Sequence, residues 1–438
     1  MRGLKSTVGL LVILIGLGAY IYFDRNREIA DPNAKPKAYA ALATDDIEEL
    51  QIRNASGETT RLQRAGAGEE WQIVEPVKAA ADSGVVGTVT SNIGTLEVQR
   101  VVDENPSDLK QYGLDPARLE VAFRLKGQKE LQRVLVGDKT PAGGDLFAKR
   151  GDENRVILVS SFLDSIFSKT PFDLRDKIVL AFDRDKAEGV EVVSGAMTRQ
   201  FARNGTDWRI VRPVTVRADY AAAEGLLTRL SSTNMQTVVA EEGDLAMYGL
   251  DRPSTTATVL TGSSRASLLI GRMADGGGYY AKDANRPMVF TVEQALVTDL
   301  TKEIGELRRK DLFDSRSFSA TRVEFQRPGA TTALERADAE GQTTWKNATG
   351  ATVETARIEE ALTKLSSLRA DAFQPMAHAS LKTPVMTATV RFDDNKTETV
   401  TFARAGTEVY ASRTDEPGSA RVDATAFDDA LKAVDALK

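Results

Sequence analysis

The tryptophans of this chain, Trp71, Trp208 and Trp345, stand at equal intervals: 208 − 71 and 345 − 208 are both 137. A fixed period of that size means one folding unit written in tandem, and it constrains the fold more than any local propensity does. The text around the first two tryptophans agrees, W-Q-I-V-E-P-V against W-R-I-V-R-P-V. Further on, D-L-K-Q-Y-G-L-D (108–115) returns as D-L-A-M-Y-G-L-D (244–251), with six of eight positions identical. Upstream of each tryptophan an apolar residue precedes an arginine by two: Leu62/Arg64, Phe201/Arg203 and Leu334/Arg336.

The repeated unit can be read in order. A turn (AGAGEE, NGTD or ADAEGQTT) separates the apolar-x-Arg strand from the Trp strand, a hairpin pattern clearest at Asn204-Gly205, where glycine suits a positive φ. Asp82 and Asp219 then stand as helix caps before apolar stripes (Val86, Val89, Ile93, Leu96; Leu226, Leu227, Leu230). Copy three offers Thr355 as cap, followed by Ile358, Leu362, Leu365 and Leu368. A β-branched run (Val101-Val102; Val238-Val239) leads to the Tyr-Gly corner, then to alternating strands, LVGD (135–138) matching LIGR (269–272). Both of the first two copies close on a helical segment with cations at its end, LRDK (174–177) and LRRK (307–310). Copy three keeps the Trp hairpin and a last helix at 426–437, with HASLKTP (378–384) in place of the corner.

The fold class expected is therefore α+β: an N-terminal transmembrane helix followed by three tandem β-rich modules, each an antiparallel sheet with one or two helices. The parts are a cytoplasmic tail 1–5, an anchor 6–23, a linker 24–44, and modules at 45–180, 181–317 and 318–438, the last diverged. The anchor rests on Ser6–Phe23, 18 residues without a charge. Arg2 and Lys5 precede it, and Tyr20, Tyr22 and Phe23 end it at headgroup depth. Positive charge on the short tail places that tail inside and the bulk of the chain outside, so the expected location is a bacterial inner membrane, single-pass, with the modules in the periplasm. The apolar run is not directly followed by a small-x-small cleavage site, which disfavours a removed signal peptide.

Chemistry-bearing patterns are thin. The chain lacks cysteine and has one histidine, His378, which excludes thiolate nucleophiles, Cys-ligated zinc and His-pair metal sites. The net charge of −6 without a basic stripe argues against nucleic acid. Ser107-x-x-Lys110 has no companion motif, Gly276–Gly278 reads as a hairpin tip, and Asp393-Asp394-Asn395 as a turn. The carboxylate pairs Asp45-Asp46, Glu241-Glu242 and Asp428-Asp429 are sequence neighbours and read as solvated surface. Asn54, Asn204, Asn347 and Asn395 match a glycosylation pattern that turn chemistry explains equally. Each residue of the Tyr-Gly corner has a packing or turn role, Gly113 and Gly249 supplying backbone that other residues avoid. No catalytic, cofactor-binding or metal-ligating residue is assigned.

The combination W-x-I-V-x-P, A-D, D-L-x-x-Y-G-L-D, the [LI]-G strand and the [FY]-A-K strand resembles the domain of unknown function 4340 family. The likeness covers about 45–317, and 318–438 only through Trp345 and the general pattern. It implies a chain anchored by one N-terminal helix that carries the module in tandem. It also implies an extracytoplasmic accessory of ABC-2-type exporters, including those of gliding motility. The expected function is thus a non-enzymatic adaptor whose partners are envelope proteins such as transporter subunits. An envelope glycan or polymer binder, with Trp and Tyr as platform, and a carboxylate-only hydrolase are the alternatives.

Overall fold

The computed structural model describes residues 35–39, 42–339, 342–393 and 395–437. The expected anchor at 6–23, the tail before it and Asp394 lie outside these residues, as does most of the 24–44 segment. Among the described residues no helix is long and apolar enough to cross a membrane.

Three sheets of nine strands each follow one another along the chain, which bears out the β-rich tandem reading. In the first sheet the strands are β1 (Ile47–Arg53), β2 (Thr59–Gln63), β3 (Gln72–Glu75), β4 (Ala79–Ala80), β5 (Arg100–Asp103), β6 (Leu119–Leu125), β7 (Gln132–Lys139), β8 (Asp145–Arg150) and β9 (Val156–Ser160). Their order is β4-β3-β2-β1-β6-β7-β8-β9-β5, antiparallel throughout, and the sheets at 189–292 and 320–422 repeat it. The first four strands step outward from the middle. The helix Ser83–Gly94 then carries the chain to the opposite edge, where β5 pairs with β9. The corner after β5 brings the chain back so that β6 lies beside β1.

A sheet with alternating residues has one apolar face, and that face must be covered. In the first copy Ile47, Leu50, Ile52, Leu119, Val121 and Phe123 form it, and Val86, Val89 and Ile93 of the helix close it. Asp82 starts that helix by accepting from the N–H of Gly84 and Val85, and Asp219 caps Tyr220–Ser232 through Ala222. The third helix departs from expectation: it spans Thr355–Ser366, with Glu354 at the cap and without a side-chain cap bond. The tryptophans sit at equivalent places, Trp71 directly before the third strand of its sheet and Trp208 and Trp345 within theirs, only 5, 2 and 1% exposed, as core anchors. In the first two copies the carbonyl of the Trp accepts from the N–H ten residues on, Ala81 or Ala218.

The chain divides into two compact units, one ending at Asp176 with the first sheet and one from Lys177 with the second and third. In each copy a short strap precedes the sheet and bridges to the residues after the helix: Lys37 to Glu97, Ile178 to Asn234 and Asp311 to Arg369. Ala38 and Tyr39, within the segment read as linker, are buried by it, as are Val179, Leu180, Leu312 and Phe313. An arginine from the far hairpin holds each strap by its carbonyls. Arg150 donates to Ala38, Arg286 to Ile178 and Val179, and Arg413 to Leu312, at 2.6–2.8 Å.

The Tyr-Gly corner is a short 3-10 turn ended by a left-handed glycine, Gly113 at φ 64° and Gly249 at φ 67°. Its carbonyl presses on the glycine of the LVGD or LIGR strand. A β-carbon on Gly137 would lie 2.0 Å from the Tyr112 oxygen, and one on Gly271 2.1 Å from that of Tyr248. The tyrosine ring packs on the neighbouring strand, Tyr112 on Phe147 and Tyr248 on Tyr280. In the third copy the corner glycine becomes Thr383 at φ −126° and the strand glycine becomes the buried Ala403. His378 takes two tasks there: its Nδ1 accepts from the Ser380 N–H, as Asp244 does from Ala246, and its ring stacks on Tyr410 at 3.8 Å.

Gly137→Ala is therefore expected to cost more than about 2 kcal/mol by forced backbone displacement. Ala403→Gly should cost only about 1 kcal/mol. Chemical unfolding of the two variants checks the contrast.

Candidate functional site

The richest grouping of charged side chains lies within the second unit, where its two sheets meet. Arg217 follows the Trp208 strand, Arg308 ends the one-turn helix Ile304–Leu307, and Glu416 sits on the hairpin turn after the strand Glu408–Arg413. The cations of LRRK were expected to serve a helix C-terminus. Arg308 is instead an extended C-cap whose side chain donates to Glu416 at 2.9 Å and lies 3.8 Å over the Phe373 ring. Arg217 donates to Glu416 at 2.8 Å, to Asp314 at 2.7 Å and to the Asp311 carbonyl at 2.7 Å. The Glu416 side chain is 5% exposed.

Beside this triad Arg413 donates to Glu398, the Leu312 carbonyl and Asp415. Glu398 also accepts the backbone N–H of Asp314 and Ser315, so this buried carboxylate is fully engaged. Burial pushes the Glu416 carboxyl up, but the charge and hydrogen bonds of Arg217, with Arg308 behind them, outweigh it and hold Glu416 below its ordinary value. Asp415 is likewise held low by Arg413 against the pull of burial. Burial and the like charge of Arg217 draw Arg308 below the usual guanidinium value, although an arginine stays protonated in proteins.

A cleft of about 490 Å³ opens on this network. Trp208, Arg209, Arg217, Tyr220, Lys310 and Asp314 line it, together with Asp207, Asp219, Asp311 and Arg369. Of the motifs singled out in the sequence, Trp208, the cap Asp219, Asn204 and the cations Arg309 and Lys310 of LRRK line this cleft, and the others lie elsewhere. Gly277 and Gly278 form a hairpin tip at positive φ, Asp393 lies in the turn between paired strands, and Asn54 and Asn347 accept from their own turns. Asp428 pairs with Arg404, while Asp45 and Asp46 lie in an exposed 3-10 turn. No group of three or more metal-ligating side chains occurs among the described residues. Repeat matching misses the triad because it is written where the copies differ: Arg217 stands where copy one has Ala80, and Glu416 where copy two has Arg286. A change of charge at matched positions, neutral to positive at Arg217 and positive to negative at Glu416, was the available signal.

Three repeated antiparallel sheets, each closed by helices, define a tandem α+β protein in which the recurring motifs shape backbone and core. The profile of the family described as Domain of unknown function (DUF4340) matches residues 71–207 and 208–384, most of the chain, and the protein belongs to that family. The matched regions begin at Trp71 and Trp208, so the family unit shares the repeat's period but starts at the third strand of each sheet. No curated protein matches the sequence. Two solved structures from Pseudomonas aeruginosa align over most of the chain. A DNA polymerase sliding clamp aligns at 9% identity, 88% of this chain and 92% of that one, with a TM-score of 0.16. A DNA polymerase III subunit beta aligns at 8% identity, 87% and 92%, again with a TM-score of 0.16. Scores at that level carry no structural assignment.

Glu416→Gln should destabilise the second unit by about 3 kcal/mol, because two buried guanidiniums lose their counter-charge. A carboxyl held low by folding contributes stability that is complete above its unfolded value, near 4.5, and is lost as pH falls through its folded value. Glu416→Gln is accordingly expected to flatten the loss of stability below about pH 4.5, read from thermal melts across acid pH.

Proposed function

We propose that this protein is a membrane-anchored, extracytoplasmic, non-enzymatic adaptor that holds envelope proteins together, its partner being an ABC-2-type exporter of the kind associated with gliding motility. The observation that carries the reading is the use to which the repeated residues are put. The tryptophans fill cores, the corner glycines admit a carbonyl, and the corner tyrosines cover strands. What recurs is architecture, and what varies is surface, which suits one scaffold presenting several chemically distinct faces.

Family membership and the apolar run at 6–23 support the anchor and the location outside the cytoplasm. A glycan platform built on tryptophan finds little support, since all three indoles are buried. A carboxylate hydrolase needs an acid with a raised pKa beside a free base. The network's carboxylates Asp415 and Glu416 are instead held low by arginine.

After cross-linking in intact cells and gentle solubilisation, the tagged full-length protein is expected to bring down transporter subunits. Its recovery alone from every such preparation would contradict the adaptor reading.

A further inference from the structure

We infer that the cleft at the second and third sheets binds a small hydroxylated molecule carrying one oxyanion, a carboxylate or a phosphate. At about 490 Å³ it has the size of small-ligand pockets.

Its charges are not all spent on one another. Among the lining carboxylates Asp314 is taken by Arg217 and Arg309, and Asp415 by Arg413. The side chains of Arg209 and Lys310 line the cleft and have no ion-pair or hydrogen-bond partner among the described residues. Arg369 has only a 3.5 Å approach to Asp311, a carboxylate that Arg309 and Arg316 also approach. Three cations therefore face the opening with donors to spare.

The repeat provides an internal control. The position of Arg209 is Gln72 in the first copy and Lys346 in the third, and that of Arg369 is Glu97 and Asn234 in the first two. Neither arginine is required by the sheet. Tyr220 replaces Ser83 and Thr355 at the start of the helix, and its ring is 57% exposed at the rim, a flat apolar surface for the body of a ligand. Asp207 and Asp219 also line the cleft, and Asp219 is committed through one oxygen to capping the helix. They disfavour a second anionic group and accept from hydroxyls, which selects a hydroxylated molecule with a single anionic group over one with several.

The test is titration calorimetry on the full-length protein in mild detergent, with gluconate as the carboxylate probe and glucose 6-phosphate as the phosphate probe. Glucose serves as the neutral control, at ionic strength matched with sodium chloride. Binding of either anion and not of glucose is expected. Arg209→Gln, which installs the residue the first copy uses, should weaken binding at least tenfold without altering the melt, Arg209→Lys should retain most of it, and Asp207→Asn should strengthen it. Failure of both anions to bind, equal binding of glucose, or affinity unchanged in Arg209→Gln would overturn the inference. None of these outcomes depends on a transporter partner, so this reading and the adaptor reading fail separately.

Discussion

Each of the first two sheets is built around a contact with no room for a single carbon atom. The corner that returns the chain from the sheet edge to its centre places a tyrosine carbonyl where the β-carbon of the facing strand would be, and only glycine leaves that space. The corner in turn needs a left-handed residue to end its 3-10 turn. Two glycines, twenty-odd residues apart, are thus one device. Through it β6 lands beside β1 in the first copy, and the nine-stranded order follows. The third copy abandons both members together, taking Thr383 and Ala403, and fills the vacated aromatic position with His378.

Much of this architecture was legible in the sequence because it is local or periodic. The spacing of Trp71, Trp208 and Trp345 is periodic, and the caps Asp82 and Asp219, the Asn204-Gly205 turn and the helical stripes depend on residues within a few positions of one another. The matching glycines of LVGD and LIGR were visible as a repeat, but their reason lies in a tertiary approach that periodicity does not encode. The straps were not legible at all. Their two or three apolar residues carry no pattern, and the arginines that hold them come from about a hundred residues away, from Arg150 in one copy, Arg286 in the next and Arg413 in the last. Thr355 looked the better helix cap by residue type, yet it is already the first helical residue and Glu354 takes the cap.

The candidate site was hidden for a related reason. Arg217 and Glu416 are 199 residues apart, and each is an exception to the pattern in which it sits. A search that rewards agreement among copies averages such residues away. Once the fold supplies the register, the exceptions can be ranked by where they fall, and several of them converge: Arg217 and Glu416 on the buried triad, Arg209, Tyr220 and Arg369 on the cleft. A tandem protein has this property in general, because what the copies share maintains the scaffold and where they disagree they are free to acquire chemistry.

Corner and strand glycine form one coupled device, and a double-mutant cycle in the second copy measures that coupling: Gly249→Thr, Gly271→Ala and the pair. Because the third copy carries that exchange natively, the double variant is expected to be less destabilised than the sum of the singles, by about 1–3 kcal/mol of coupling. Strict additivity of the two losses, measured by denaturant unfolding, would show that the carbonyl and the glycine do not answer to each other.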